Sequence, residues 1–218
     1  MLFAMRPAVV ILAALSVITG VAYPVLITLV AQGVFPHQAN GSLVYRPDAR
    51  PRQEGNSRDW LGAHDAPDSQ TAIGSELIGQ AFAGEGYFWS RPSATGPVPY
   101  NAAASSGSNY GPTNPAQLDS VRERVARLRE VGDDQRSPAP IDLVTASASG
   151  LDPHISPAAA EYQAPRIARA RGLGDYEVRR LIAENVEHRT LGLLGEPRVN
   201  VLRLNLALDQ LKQPPISR

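Results

Sequence analysis

Residues 8–34 read AVVILAALSVITGVAYPVLITLVAQGV, and this stretch decides the architecture. No Asp, Glu, Lys or Arg occurs between Pro7 and Tyr45. A helix over 8–34 would span roughly 40 Å, more than the ~30 Å hydrocarbon core of a bilayer. One crossing helix is therefore predicted, kinked near Gly20 and Pro24. Tyr23 falls mid-span, where its hydroxyl favours a partner helix over lipid. A cleaved leader is the competing reading, but its apolar core is normally about 7–15 residues and ends on small side chains. Leu29-Val30-Ala31 places a bulky leucine where a small residue is required. Arg6 precedes the span and Arg46, Arg50 and Arg52 follow it at a distance, so flanking charge leaves the orientation open.

Outside the span the chain is polar, and the overall averages conceal this division. The 218 residues carry 21 basic and 21 acidic side chains, a formal net charge of zero, and no cysteine. The missing cysteine rules out disulfides, thiolate zinc sites and a cysteine nucleophile. A neutral chain lacks the electrostatic pull of a nucleic-acid binder. Lys212 is the only lysine and follows Leu211, so the glycine–lysine step of a P-loop is absent, and a lysine Schiff base has no good candidate.

Three segments follow from these patterns: a tail and membrane helix over 1–34, a polar connection over 35–72, and an α+β soluble domain over 73–218. Residues 46–72 hold only Trp60 and Leu61 as large apolar side chains, the composition of an exposed insertion. Ile73–Trp89 is expected to give a short helix or strand to the core. Residues 93–115 form a long loop rich in Gly, Ser, Asn and Pro, of the kind that is usually functional, with Tyr100 and Tyr110 pinned to something. Asn114, Pro115 and Gln117 predict a capping box opening a helix, and Leu118, Val121, Val125, Leu128 and Val131 recur at its spacing. Gly132 and Asp133 end it. Ile141–Thr145 reads as a β-like run. Ser156-Pro157 opens a second helix closed by Gly172, and a third runs from Tyr176 to His188. Pro197–Asn205 alternates like a strand, with a short helix over Leu206–Leu211.

Several motifs invite chemistry. QAPRIARARGLGDYEVRRLI (163–182) has the outline of a DNA-binding helix-turn-helix, but the membrane span and zero net charge stand against it, and Ile167, Ala168, Leu173, Val178, Leu181 and Ile182 read more simply as the core of two packed helices. Ser147 or Ser149 with Asp152 and His154 hints at a serine hydrolase. The G-x-S-x-G elbow is absent, however, and three members within eight residues converge poorly. Turn formation is the plainer role of these residues, with Ser156 as a helix cap. His37, His64, His154 and His188 have no metal-ligand spacing, and Trp89 is expected to stack with Arg91.

Six blocks together resemble one family. They are FPHQANGSL (35–43), GSELIGQAF (74–82), GYFWSRPSA (86–94), PYNAAASSGSNYGPTNP (99–115), DLVTASASGLDPHISPAAAEYQAPRIARARGL (142–173) and GEPRVNVLRLNLALDQL (195–211). In order and composition they are similar to the C subunit of the Kdp potassium-transporting ATPase. The connection over 46–72 is longer than the family pattern. The resemblance implies a single-span, non-catalytic subunit of an inner-membrane complex. Its partners would be a channel-like K⁺-binding subunit, a P-type ATPase subunit that hydrolyses ATP, and a small membrane subunit, with K⁺ as the transported ion. It implies no tightly bound cofactor, no metal and no nucleic acid. It also implies a role in assembly and in raising the ATP affinity of the ATPase subunit, with a nucleotide association carried by position onto Ser149, Gly150, Leu151, Asp152 and Gln163. ATP is cytoplasmic, whereas a short tail before an uncleaved span favours a domain outside the membrane, so the ATP effect would then travel through the complex. The 93–115 loop, with Tyr100, Asn101, Ser106, Asn109 and Tyr110, is the expected docking element.

Overall fold

The computed structural model describes residues 2–45, 72–132 and 137–211. Of the expected polar connection over 35–72, residues 46–71 lie outside the described residues, as do Asp133 and Lys212. Two compact units are present, Met1–Leu43 and Val44–Arg218.

The first unit holds helix α1 (Leu2–Val17), a π-helical turn (Ile18–Ala22), helix α2 (Tyr23–Val34) and the single turn α3 (Pro36–Ala39). Pro24 has no N–H and its ring would collide with the carbonyl four residues back, at Gly20. The wide turn takes up that misfit at the place where the kink is predicted. Met5–Val34 is long and apolar enough to cross a membrane, and none of it is buried by protein. Apolar side chains on all sides of an uncovered helix suit lipid better than water.

The second unit is mixed α and β. Strands β1 (Leu43–Tyr45) and β2 (Ala72–Ser75) form one small sheet. Helices α4 (Pro115–Glu130), α5 (Ile141–Val144), α6 (Pro157–Arg171), α7 (Asp175–Glu184) and α8 (Val201–Gln210) surround a second sheet in the order β3-β5-β4. Its strands are β3 (His154–Ile155), β4 (Val186–Glu187) and β5 (Arg198–Asn200), all antiparallel. The register puts Ile155, Val199 and Val186 in one row facing the core, and leaves His154, Glu187 and Arg198 on the polar face.

Helix α6 is the centre of the core. Ala159, Ala160, Ala164 and Ile167 are fully buried, and small alanines let neighbours approach closely. Ser156 Oγ accepts from the Ala159 N–H at 3.1 Å, and Gly172 closes the helix at φ +66°, as the sequence predicts. Val178, Leu181 and Ile182 of α7 pack into the same core.

Several expectations need correction. Ile141–Val144 is one turn of helix rather than a strand. The strand expected over 197–205 lasts three residues before α8 begins at Val201, five residues ahead of the expected terminal helix. The third helix ends at Glu184, and Val186–Glu187 is a strand. The α4 cap is one-sided: Asn114 Oδ1 accepts from the Ala116 N–H at 2.9 Å, and Gln117 enters through its backbone at 3.1 Å from the Asn114 carbonyl. Leu128 of α4 is buried, whereas Leu118 faces solvent.

Candidate functional site

In the segment 86–89 (GYFW), which belongs to no helix or strand, Phe88 is fully buried and Gly86, Tyr87 and Trp89 are half-buried, so its backbone needs partners from elsewhere. Two buried amides supply them. Asn205 of α8 accepts from the Phe88 N–H at 2.8 Å and donates to the Phe88 carbonyl at 3.0 Å. Gln163 of α6 accepts from the Trp89 N–H at 2.8 Å and donates to the Trp89 carbonyl at 3.2 Å. Each side chain thus imitates a neighbouring strand. Gln163 also donates to the Ala159 carbonyl at 3.2 Å and accepts from Arg166 Nη2 at 2.8 Å, so its amide is saturated.

Arg166 is 2% exposed. Its guanidinium donates to the carbonyls of Glu85 and Tyr87 and lies 4.6 Å from the Trp89 ring centre. Arg127 covers the same ring at 5.1 Å. The stacking partners of Trp89 are therefore Arg166 and Arg127, not the expected Arg91. Arg91 turns away to Asp152, with Nη1 3.1 Å from Oδ2.

From Arg91 the site opens into two loops. The residues expected to dock a partner and those expected to associate with nucleotide lie in these loops, Gln163 excepted, and the loops are bonded to each other. Ser93 Oγ donates to the Gly150 carbonyl at 2.7 Å and accepts from the Tyr100 N–H at 3.0 Å. The Ser106 N–H and Ser105 Oγ donate to the Ser149 carbonyl at 3.0 and 2.9 Å. Leu151 receives the Gly79 N–H on its carbonyl at 2.8 Å. Tyr100 adopts φ +57° and donates its hydroxyl to the Arg91 carbonyl at 2.6 Å. Burial raises the Tyr100 phenol above its ordinary value, and the Asp152 charge adds to this against a Ser90 hydrogen bond. Asn101 caps the short 3₁₀ turn Ala102–Ala104 by accepting from the Ala103 N–H at 3.1 Å. Asn109 sits at φ +53° and is exposed, and Tyr110 is also exposed.

Gly150 is the residue that lets the loops close. It has φ +69°, and a Cβ there would stand 2.5 Å from Thr95 Cγ2 and 2.7 Å from the Ser106 carbonyl oxygen. Beside it lies a shallow depression of about 520 Å³, lined by Leu77, Arg91, Ser147, Ser149, Leu151 and Asp152 among others.

Asp152 anchors the lower edge. Burial pushes its carboxyl up, but the His154 side chain and N–H and the Arg91 guanidinium outweigh this and hold it below the usual range. His154 places Nδ1 3.6 Å from Asp152 Oδ1 and Nε2 3.9 Å from Glu187 Oε2. Both ring nitrogens face carboxylates rather than a serine, so the arrangement is not that of a hydrolase triad. Ser149 Oγ accepts from the Leu151 N–H at 3.1 Å, a turn role. In α7, Arg179 bonds Asp175 and Glu161, and Arg180 lies 3.3 Å from Glu184. The would-be recognition helix therefore spends its arginines on acidic neighbours. Among the described residues no group of three or more His, Cys, Asp or Glu could hold a metal ion.

Sequence reasoning misses Gln163, Arg166 and Asn205 as buried polar contacts of the core. Their signal is weak, since a polar residue among alanines and leucines also fits a solvent-facing position.

Comparison with known proteins agrees with the blocks quoted above. The family described as "K+-transporting ATPase, c chain" (KdpC) matches residues 5–53 and 63–210. A "Potassium-transporting ATPase KdpC subunit" of Sorangium cellulosum (strain So ce56) is 55% identical over 209 residues, covering 96% of this chain and 98% of that protein. Proteins of the same name from Herpetosiphon aurantiacus and Polaromonas naphthalenivorans are each 54% identical, over 207 and 208 residues, covering 95% of this chain and 96% and 95% of theirs. None of these names speaks of DNA binding or hydrolysis of an ester or peptide. The chain belongs to the KdpC family, the c chain of K⁺-transporting ATPases.

Proposed function

We propose that this chain is the membrane-anchored accessory subunit of an ATP-driven K⁺ uptake complex, and that it works as an assembly element rather than a catalyst. The anchor is 1–34, the connection 35–72, and the working part 73–218, held on the outer face of the cytoplasmic membrane. ATP is hydrolysed by a P-type ATPase partner, K⁺ passes through a channel-like partner, and a small membrane subunit completes the complex.

One observation supports this reading most directly. Loops 93–110 and 147–152 are tied together by Ser93 Oγ on the Gly150 carbonyl and by Ser105 Oγ and the Ser106 N–H on the Ser149 carbonyl, which makes a braced surface suited to docking. Tyr110 and Asn109 lie on its open side.

The same geometry argues for an indirect effect on ATP affinity. A triphosphate needs free N–H groups and unopposed cations. At this site the Ser147, Gly150 and Leu151 N–H groups already have acceptors, and Asp152 adds a negative charge. Arg91 Nη1 is paired with Asp152, while its Nε, without a partner among the described residues, is buried away from solvent. Ser149, Gly150, Leu151 and Asp152 would then be the part of the surface that the ATPase partner senses through the complex. Gln163 would position it by holding Trp89, two residues from Arg91.

The test has two arms. The tagged full chain is co-expressed with the other subunits, and recovery is compared with Tyr110→Ala and Asn109→Ala. A several-fold loss of recovery is expected, and unchanged recovery sinks the docking role. Since the chain has no cysteine, Ala104→Cys in cells provides a unique thiol on it for an impermeant maleimide. Labelling is expected, and protection until lysis would place the domain inside and overturn the outer-face assignment.

A further inference from the structure

The β4–β5 hairpin carries a feature that the loop site does not use. Its tip reads Thr190-Leu191-Gly192-Leu193-Leu194, with the three leucines 88%, 79% and 64% exposed. Leucines this open present on the order of 400 Å² of apolar surface, as much as the largest patch on an ordinary monomer. They are held, not loose. The Thr190 N–H donates to the Leu194 carbonyl at 2.9 Å, and the Leu194 and Leu193 N–H groups donate to the Thr190 carbonyl at 3.0 and 3.2 Å. Gly192 has φ +74°, which suits glycine, but Leu191 has φ +55°, which a γ-branched side chain adopts only under strain. Backbone strain at a solvent-facing leucine contributes nothing to the core.

The surroundings restrict what could cover this tip. Arg189 Nη2 lies 2.8 and 2.7 Å from the two oxygens of Glu196, so the neck of the hairpin is closed by a neutral pair. A bilayer surface would be expected to draw on tryptophan, tyrosine and unpaired basic residues, and a fluid interface has no need of one strained shape. The tip holds neither aromatic rings nor lysine, and its arginine is paired. A second copy is also a poor match. The patch is about half of the ~800 Å² that each partner gives to a stable interface, so it serves as an added foothold beside a larger contact.

We infer that the Leu191–Leu193–Leu194 tip is a second docking element that seats in an uncharged, apolar cleft on a partner subunit of the K⁺-transporting complex. This rests on the assembly role proposed above and adds a separate point of contact to the loop surface. Binding covers the leucines, and the fixed turn means that little backbone order is lost when they dock.

The test uses the full chain co-expressed with its partner subunits in native membranes. A photo-crosslinking benzoylphenylalanine is placed at Leu193, and crosslinked peptides are identified by mass. A crosslink to an apolar segment of a transporter subunit is expected. In parallel, Leu193→Gln with Leu194→Gln should lower recovery of the partners at least threefold in a salt-insensitive way, with the unfolding temperature of the isolated full chain unchanged. Crosslinking only to lipid, only to a second copy, or to nothing overturns the inference while the complex is still recovered. Recovery of the wild-type chain without any transporter subunit overturns the assembly reading itself, and this inference with it.

Discussion

Gln163→Leu removes one side chain and four hydrogen bonds, one of them to the Ala159 carbonyl and three to Trp89 and Arg166. The Trp89 N–H, the Trp89 carbonyl and Arg166 Nη2 each lose a partner, at 2.8, 3.2 and 2.8 Å respectively. Gln163 is fully buried, so water does not replace it. Each stranded group costs about 1–3 kcal/mol, and leucine recovers part of this through its greater apolarity. A net loss of about 3–4 kcal/mol follows, a fall in Tm of about 10 °C at 2–4 °C per kcal/mol for a chain of this size. The measurement is thermal and urea unfolding of the full chain in detergent, followed by tryptophan emission and far-ultraviolet circular dichroism. Gln163→Glu gives a second reading. Its carboxylate still accepts from Trp89 and Arg166 but loses both donor bonds, so an intermediate loss is expected. A Gln163→Leu chain within 0.5 kcal/mol of wild type would refute the idea that this amide stands in for a strand. So would a loss confined to the assembled complex.

The other expectations concern the loops and their anchor. Gly150→Ala should destabilise by more than about 2 kcal/mol, because φ +69° is strained for alanine and its Cβ would meet Thr95 and Ser106; faster limited proteolysis within 93–106 is the readout. Tyr100→Phe removes the hydrogen bond to the Arg91 carbonyl and should cost about 1 kcal/mol in urea unfolding. Asp152 has a depressed carboxyl pKa, so its contribution is complete above the ordinary carboxylate range and is lost as pH falls through the folded value. Asp152→Asn should flatten that part of the acid limb, by less than about 1 kcal/mol since the side chain is 28% exposed.

Local signals carried much of this fold. Ser156 and Gly172 bound α6, and Asn114 and Gly132 bracket α4, because caps act within a few residues of the backbone they satisfy. The apolar run of the span needs no tertiary partner to be recognised. The errors arose where two periods coincide. In PRVNVLRLN, Val199 and Val201 fit alternation, while Val201, Leu202, Leu204, Asn205 and Leu208 are the buried face of a helix. Asn200, whose side chain accepts from the Arg203 N–H at 3.2 Å, was the overlooked start signal. Ile141–Val144 is too short for periodicity to decide. The site was legible as two separate loops. That Ser93 meets Gly150, or that Gln163 grips Trp89, depends on contacts 57 and 74 residues apart in sequence, which no local pattern encodes.

The π-turn at Ile18–Ala22 changes how the span presents itself to its neighbours. One extra residue within a helical turn rotates everything after it by about 100° relative to regular counting. A stripe followed through α1 by steps of three and four therefore does not continue in α2. Side chains from Tyr23 onward address a different side of the helix than their sequence spacing implies. A single helix can in this way contact one neighbour with its first half and another with its second.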